Sequence, residues 1–253
     1  MYFDTHAHYD NPRFDPDRRQ LLESLPKHGI SLVLNPGYDL QSSRTAVGLA
    51  EDYSFIYASV GFHPHDSSAM QEGDLERLRM LTERPKVVAV GEIGLDYHYD
   101  HSPRPVQRER FREQMELAKN VGLPVIIHQR EAVADTLAIL RDYRGMRGVV
   151  HCFSGEVEVA REVLNLGLDI SFTGVLTYKN ARKSHEVVEY MPKDRLLLET
   201  DAPYMSPEPH RGRRCTSLYL PLVAEVVAEL WGMSVEEVAR VTTENGKRLF
   251  KIM

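Results

Sequence analysis

The chain has 253 residues, of which 42% are hydrophobic and 27% are charged, and its formal net charge is −6. This composition is ordinary for a globular enzyme, and no segment approaches the ~18 consecutive apolar residues of a membrane helix. The acidic charge argues against nonspecific coating of nucleic acid by a basic surface. Because the first residues lack the pattern of a secretory signal, we expect a cytoplasmic protein with no membrane partner.

Eight short apolar segments rich in Val, Ile and Leu are predicted to be strands. They are 1–5, 30–34, 55–60, 87–90, 123–127, 148–150, 168–172 and 196–198. Between most of them the apolar residues follow a helical period, over 16–28, 75–83, 107–120, 132–141, 157–166 and 181–190. Two further helices are predicted at 220–230 and 235–250, the second with a capping box formed by Ser234 and Glu237.

The alternation of strand and helix predicts parallel βαβ units, and eight such units favour a (β/α)8 TIM barrel of the α/β class. No linker, low-complexity tract or repeat divides the chain, so residues 1–253 are predicted to form a single domain. An open doubly wound sheet would show the same alternation. No G-x-G-x-x-G motif follows the first strand, however, and this disfavours a dinucleotide-binding fold.

Residues of metal-ligand type follow six of the predicted strands. They are His6 and His8 after the first strand, His63 after the third, Glu92 after the fourth, His128 after the fifth, His151 after the sixth and Asp201 after the eighth. A His-x-His pair alone is a weak signal in a chain with 11 histidines. In a barrel, however, these strand ends meet at one mouth, where active sites are built. We therefore expect a metal site at the mouth.

The number of these residues favours two metal ions. Burying four imidazoles and two carboxylates without a cation would be costly. The set exceeds the three or four protein ligands of one catalytic ion, whereas two ions that share a bridging carboxylate fit it. Nitrogen-rich ligation is typical of Zn, Mn or Co. Because histidines must be neutral to bind metal, activity is expected to fall below about pH 6.

Six segments, taken in order, match a known family. They are FDTHAH at 3–8, GFHP at 61–64, GEIGLDY at 91–97, LPVIIH at 123–128, HCFSG at 151–155 and LETDAPY at 198–204. Through these segments the chain resembles the TatD-type metal-dependent deoxyribonucleases over nearly its whole length. The resemblance implies a metal-dependent hydrolase barrel with one or two divalent ions, Mg among them. It also implies hydrolysis of DNA phosphodiester bonds, often as a 3′ exonuclease acting on single strands or frayed ends.

Carried over by position, the resemblance implies His6, His8 and Asp201 for one metal, His128 and His151 for the other, and Glu92 as the bridge. Asp201 is also the candidate general base that takes a proton from the attacking water. Glu92 and Asp201 are therefore the predicted catalytic residues.

The loop after the eighth strand is basic and predicts the phosphate contact. Barrels often hold phosphate near strands seven and eight, and a guanidinium grips phosphate oxygens through two hydrogen bonds. We expect Arg211 and His63 to bind the substrate. Just beyond, relatives usually carry Asn-Glu-Pro where this chain has Cys215-Thr216-Ser217. Substrate preference is therefore the least determined property, and the oligomeric state is open, a monomer being compatible with the sequence.

Two other functions stay open at this point. The first is an amidohydrolase that cleaves a C–N or ester bond; many such sites bridge their metals through a modified lysine, whereas here the fourth strand leads to Glu92. The second is a non-catalytic nucleic-acid-binding protein with a structural metal, against which the acidic charge already counts.

Overall fold

Eight parallel strands lie side by side in chain order in the computed structural model, which describes residues 1–253. They are β1 (Tyr2–Asp4), β2 (Ile30–Pro36), β3 (Ile56–Val60), β4 (Val87–Asp96), β5 (Val125–Arg130), β6 (Gly148–Val150), β7 (Asp169–Phe172) and β8 (Leu196–Leu198). Backbone hydrogen bonds link the segments after β1 and β8: Thr5 N donates to Leu198 O, and Asp201 N donates to His6 O. The predicted (β/α)8 TIM barrel is confirmed.

Nine α-helices surround the strands. They are α1 (Arg18–Ser24), α2 (Leu40–Asp52), α3 (Asp74–Thr82), α4 (Arg104–Val121), α5 (Val133–Asp142), α6 (Val157–Asn165), α7 (Arg182–Tyr190), α8 (Leu220–Trp231) and α9 (Val235–Phe250). Short 3-10 helices cover Pro12–Phe14, Leu25–His28, Pro64–Ala69, Gly174–Thr177, Lys193–Arg195 and Ser217–Tyr219. The capping box at Ser234 and Glu237 is confirmed at the start of α9.

Helix α2 was not predicted from the sequence. Its apolar period is weak, because Ser42, Ser43 and Gly48 interrupt it. The signal that could have found it lies at its start, where Asp39 accepts a hydrogen bond from Ser42 N and the Ser42 side chain accepts one from Asp39 N. Such reciprocal capping marks a helix N-terminus even where periodicity is poor.

Strand β4 is longer than predicted, and this corrects the position of Glu92. The prediction ended the strand at Val90 and put Glu92 beyond it, but the strand continues to Asp96. Between the pairs Val90–Val125 and Ile93–Ile127, β4 holds one residue more than β5, which is a β-bulge. Bulges re-aim side chains, so Glu92 reaches the barrel mouth from within a strand. His128 likewise lies inside β5, not after it.

Gly94 makes the close approach of β4 and β5 possible. A Cβ atom at this position would fall on the backbone of His128, and the φ angle of Gly94 is +143°. Only glycine adopts such a backbone conformation without steric cost. Any other residue at this position would push the two strands apart where both carry residues of the mouth.

A cluster of ten buried apolar residues, here called the floor, fills the barrel interior below the mouth and extends to the end of α9. It consists of Phe3, Leu34, Val88, Ala89, Ile126, Val149, Leu197, Leu249, Phe250 and Ile252. Helix α9 packs closely on β1 because Gly246 has no side chain: a Cβ there would lie 2.6 Å from the Phe3 ring. A second cluster of 52 buried residues fills the space between strands and helices.

No single helix is long and apolar enough to cross a membrane; only Ser217–Trp231 and Val235–Phe250 taken together, with a bend of 105° between them, reach that length and composition. The organisation of residues 1–253 as one domain stays a prediction.

Candidate active site

A cavity of about 710 Å³ opens at the carboxyl ends of the strands, and this opening is the mouth predicted from the sequence. Six of the seven residues predicted at the strand ends line it: His8, His63, Glu92, His128, His151 and Asp201. His6 lies directly beneath them and is fully buried. The strand-end pattern therefore identified residues that the fold brings together.

Glu92 occupies the centre of the mouth, and only 4% of it is exposed. Its Oε2 atom lies 3.3 Å from Nε2 of His6 and 3.7 Å from Nε2 of His8. Its other oxygen, Oε1, faces a different set of rings, which come from the ends of β3, β5 and β6. The carboxylate therefore stands between two groups of histidines.

The first histidine group consists of His6 and His8, with Asp201 beside them. The two Nε2 atoms are 3.1 Å apart, and Oδ1 of Asp201 lies 3.6 Å from Nε2 of His8. His6 and His8 follow β1 two residues apart, so both rings point to the same side. Asp201 joins them from the other end of the sheet, where its φ angle of +54° turns the chain after β8.

The second histidine group consists of His63, His128 and His151. Oε1 of Glu92 lies 2.8 Å from Nε2 of His151, 2.9 Å from Nδ1 of His128 and 3.3 Å from Nε2 of His63. His63, predicted to bind substrate, thus lies among the predicted metal ligands.

Asp96 is a residue of the site that sequence reasoning missed. Its buried Oδ2 atom lies 2.9 Å from Nε2 of His128 and 3.0 Å from Nε2 of His65, so both rings donate to it. Asp96 follows Glu92 by four residues on the same strand, and this even spacing within the matched segment could have revealed it. A carboxylate behind a histidine fixes the tautomer of the ring, as is common at metal sites.

Glu199 orients the neighbouring part of the second histidine group. It accepts hydrogen bonds from Cys152 N at 2.7 Å and from Ser171 Oγ at 2.6 Å, and its Oε1 lies 3.3 Å from Nδ1 of His151. Glu199 thus lies behind His151 as Asp96 lies behind His128. The nearby carboxylate of Asp4 instead accepts hydrogen bonds from Thr200 and Ser217.

Burial sets the protonation of two rings. It lowers the pKa of His6 to about 4 and the pKa of His63 to about 3. Both rings are therefore neutral near pH 7, and the neutral ring is the form that binds a metal ion.

The two carboxylates of the mouth differ in their protonation. Burial alone would raise the pKa of Glu92, but the surrounding histidines, His151 first, outweigh it and lower this pKa well below its usual range. Burial raises the pKa of Asp201 to about 6, near the working range of a general base. The mouth therefore combines a permanently ionised carboxylate with one that can exchange a proton near neutrality.

This donor set fits divalent cations. With its proton held on Nε2 by Asp96, neutral His128 turns the lone pair of Nδ1 towards a carboxylate oxygen 2.9 Å away. The Nε2 atoms of His6 and His8 also face each other at 3.1 Å, and the buried Nδ1 atoms of both rings have no hydrogen-bond partner. Such buried contacts need a positive charge between them. Ring nitrogens and carboxylates are ligands of Zn, Mn and related ions.

Arg211, the predicted phosphate contact, is not brought to the cavity. It is exposed, and its guanidinium lies over the ring of Tyr178 at 4.4 Å from the centroid. Neither residue lines the mouth. The role of Arg211 in substrate binding stays a prediction. If Arg211 does bind the substrate, it contacts it at the outer rim of the mouth.

The segment that departs from the family pattern lies behind the site. Ser217 Oγ donates to Asp4 at 2.6 Å and accepts from the hydroxyl of Tyr9 at 2.7 Å, all three residues being buried. Cys215 is fully buried, and burial raises the pKa of its thiol to about 12. Since neither residue lines the cavity, the departure alters the support of the loop after β8 and not the mouth itself.

Known proteins resemble this chain over its whole length. Residues 3–251 match the family described as TatD related DNase. A Bacillus subtilis protein, the uncharacterized metal-dependent hydrolase YabD, is 46% identical over 254 residues, which cover 100% of both chains. A Cronobacter sakazakii protein named 3′-5′ ssDNA/RNA exonuclease TatD is 35% identical, over 98% of this chain and 97% of that protein.

Among solved structures, YJJV, a TatD homolog from Escherichia coli, superposes with a TM-score of 0.93 at 34% identity. The match covers 100% of this chain and 98% of that chain.

Proposed function

The chain belongs to the TatD-related DNase family of metal-dependent hydrolases, and from this membership and the geometry of the mouth we propose that it hydrolyses phosphodiester bonds of single-stranded nucleic acid. The observation that carries the proposal is Glu92, whose two oxygens face the two histidine groups separately. A carboxylate in this position suits a bridge between two divalent ions, the arrangement used for in-line displacement at phosphorus.

We assign the ligands as the sequence predicted. His6, His8 and Asp201 would hold one ion, His128 and His151 the other, and Glu92 both. His63 keeps its predicted role as a donor to a substrate phosphate. Its Nε2 atom, 3.3 Å from Glu92 Oε1, also allows it to complete the second histidine group. The metal is Mn, Zn or Mg by donor type and by family.

Bound divalent ions would lower the pKa of a water molecule and neutralise the charge that develops on the phosphoryl oxygens. Asp201, at the edge of the cavity, takes the proton of the attacking water. The water oxygen bonds to phosphorus while the bond from phosphorus to the 3′ oxygen of the preceding nucleotide breaks. That oxygen receives the proton, so the products are a nucleoside 5′-phosphate and a chain shortened by one nucleotide.

The mouth offers an aromatic side chain to the bases of a single strand that enters by its 3′ end. One tyrosine side chain of the cavity lining, Tyr204, is 46% exposed. Aromatic side chains on which bases stack are typical of proteins that bind single strands. A relative covering nearly the whole chain carries the name of a 3′-5′ exonuclease for single-stranded DNA and RNA, which agrees with this choice.

The test is incubation of Mn-reconstituted protein with 5′-labelled single-stranded DNA, with and without chelator. We expect a ladder that shortens one nucleotide at a time from the 3′ end and disappears with the chelator. Glu92→Gln and Asp201→Asn should each lower the rate by about 10³-fold, the size typical of a lost electrostatic contact in a transition state. Calorimetric titration should give two bound ions per chain.

The matched control is Asp66→Asn. Asp66 also lines the cavity, but its carboxylate is not within ion-pair distance of any histidine, so the rate should change little. Simple amides and esters are assayed in parallel. Cleavage of amides without cleavage of DNA, or undiminished DNA cleavage by the Glu92 and Asp201 variants, would contradict the proposal.

A further inference from the structure

Arg130 is the one Lys or Arg side chain that lines the mouth. It ends β5, two residues after His128. The remaining charged residues of the lining, apart from the histidines, are all acidic: Asp66, Glu92, Asp96 and Asp201. A polyanion that enters this cavity therefore meets a single fixed cation of the chain.

The guanidinium of Arg130 has no partner within the protein. It makes neither an ion pair nor a side-chain hydrogen bond, although the carboxylates of Asp66 and Asp96 line the same cavity. By contrast, Arg104 at the start of α4 is paired with Asp100. An arginine that is half-buried and unpaired leaves five N–H donors free for a ligand.

The ring of Tyr99 holds this guanidinium in place. The guanidinium carbon of Arg130 lies 4.7 Å from the centroid of the ring. The ring is itself stacked on His101, with centroids 5.5 Å apart and planes inclined by 10°. Stacking on an aromatic face orients the planar guanidinium without using its hydrogen-bond donors. Arg130 is thus presented to the cavity with its N–H groups preorganised.

We propose that Arg130 binds the phosphate of the nucleotide next to the scissile bond, with Tyr99 as its positioning residue. This inference rests on the proposed function and adds a substrate contact that Arg211, outside the cavity, does not supply. Arg130 follows His128 by two residues, ~7 Å along β5, and lies on the same side of the strand. This distance is about that between neighbouring nucleotides, so we expect the guanidinium to reach the phosphate next to the one at the metal ligands. A guanidinium grips phosphate oxygens through paired hydrogen bonds.

The first experiment compares two substrates of Mn-loaded protein: a single-stranded oligothymidylate and bis(4-nitrophenyl) phosphate, which carries one phosphate only. We expect Arg130→Gln to lower kcat/KM on the oligonucleotide by ~10–100-fold, mainly through KM, because a charge-assisted contact is lost. The rate on the small diester should stay within about twofold, which also shows that the variant is folded. Arg130→Lys, which keeps the charge without the fork, should fall between parent and Arg130→Gln.

The second experiment neutralises the phosphate instead of the protein. A methylphosphonate replaces the second phosphodiester from the 3′ end of the oligonucleotide. The parent should slow by ~10-fold and Arg130→Gln should not slow further, because the two changes remove the same contact. A methylphosphonate placed several nucleotides further from the 3′ end should leave both unaffected.

The matched control is Arg161→Gln. Arg161 lies over the exposed ring of Tyr190 at 5.6 Å, away from the mouth, and also lacks a carboxylate partner. Its kinetics should equal those of the parent on both substrates. If Arg130→Gln keeps the parent's oligonucleotide kinetics, loses both activities equally, or retains the parent's sensitivity to the methylphosphonate, the inference is wrong. If the parent cleaves bis(4-nitrophenyl) phosphate but no nucleic acid, the proposed substrate is wrong. In that case the proposed contact between Arg130 and a nucleic-acid phosphate is wrong as well.

Discussion

At its mouth the barrel interior buries imidazole rings and carboxylates, whereas at the floor it buries ten apolar side chains. The floor contributes to the free energy of folding, since each large apolar side chain removed from water stabilises the protein by roughly 1.5–3 kcal/mol. The mouth contributes little without a cation, since buried polar groups in poor contact cost free energy. The residues of metal-ligand type and the apolar residues of the floor therefore lie towards opposite ends of the barrel interior.

The largest effect is expected at the floor. Phe250→Ala removes a buried ring that packs edge-on against Phe3 at a centroid distance of 6.0 Å. The free energy of unfolding should fall by ~3–5 kcal/mol, measured by urea denaturation of metal-free protein. Activity per folded molecule should stay unchanged, because the floor does not touch the cavity. Met253→Ala, at an exposed terminus, is the control. Loss of metal affinity in the Phe250 variant would show that floor and mouth are coupled.

The pH dependence of metal affinity should come only from the titratable groups of the mouth. Burial opposes protonation of His128 and His151, but hydrogen bonds and charges of nearby carboxylates, Glu92 in both cases, raise the pKa of each ring. Because the pKa values are raised, protons occupy these rings as pH falls, and an entering ion must displace them. Affinity for Mn should therefore fall by ~10-fold per pH unit for each displaced proton once the pH drops below these raised pKa values.

Calorimetry in buffers of different ionisation enthalpy would measure the proton release directly. Phe250→Ala should show the same pH dependence as the parent. If the affinity for Mn does not change with pH, the second histidine group is not part of the metal site.

Asp96→Asn tests how much the mouth depends on groups that do not face the ion. Asp96 accepts through both of its oxygens, Oδ2 from His128 and His65 and Oδ1 from the backbone N–H groups of His98 and Tyr99, and in asparagine one of these two acceptors becomes an NH2 donor. Losing such a partner typically costs 10–100-fold in metal affinity or activity, so we expect a decrease of ~10–100-fold in the affinity for Mn, measured by competition with a chelating dye. Asp66→Asn again serves as the control, and an equal effect of both variants would contradict a specific role for Asp96.

The smallest effect is expected outside the mouth. Arg211→Gln removes an exposed cation that lies over Tyr178. Surface charges far from a bound ligand act mainly through long-range attraction, so kcat/KM on an oligonucleotide should change by less than ~3-fold and the change should vanish at high salt. If kcat/KM falls as much as in Arg130→Gln, Arg211 in the loop after β8 makes the phosphate contact, as the sequence predicted.

Much of the fold and of the site could be predicted because the signals are local. Strands such as Gly148–Val150 and Leu196–Leu198 agree with the predicted bounds, and so does helix Val235–Phe250. The ligand-type residues of the mouth follow from one rule, that the carboxyl ends of barrel strands meet. Helix α2 escaped this reasoning because its buried face is interrupted by small polar residues.

By itself, then, the sequence determined the barrel, because the alternation of apolar segments is a local pattern. The residues at the ends of these segments likewise identified the set His6, His8, Glu92, His128, His151 and Asp201. Only the tertiary structure decided how these residues are used. The bulge in β4 turns Glu92 between the two histidine groups and places Asp96 behind His128. The fold also leaves Arg130 in the cavity and Arg211 outside it. Register and bulges depend on contacts between distant strands, and no local pattern encodes them.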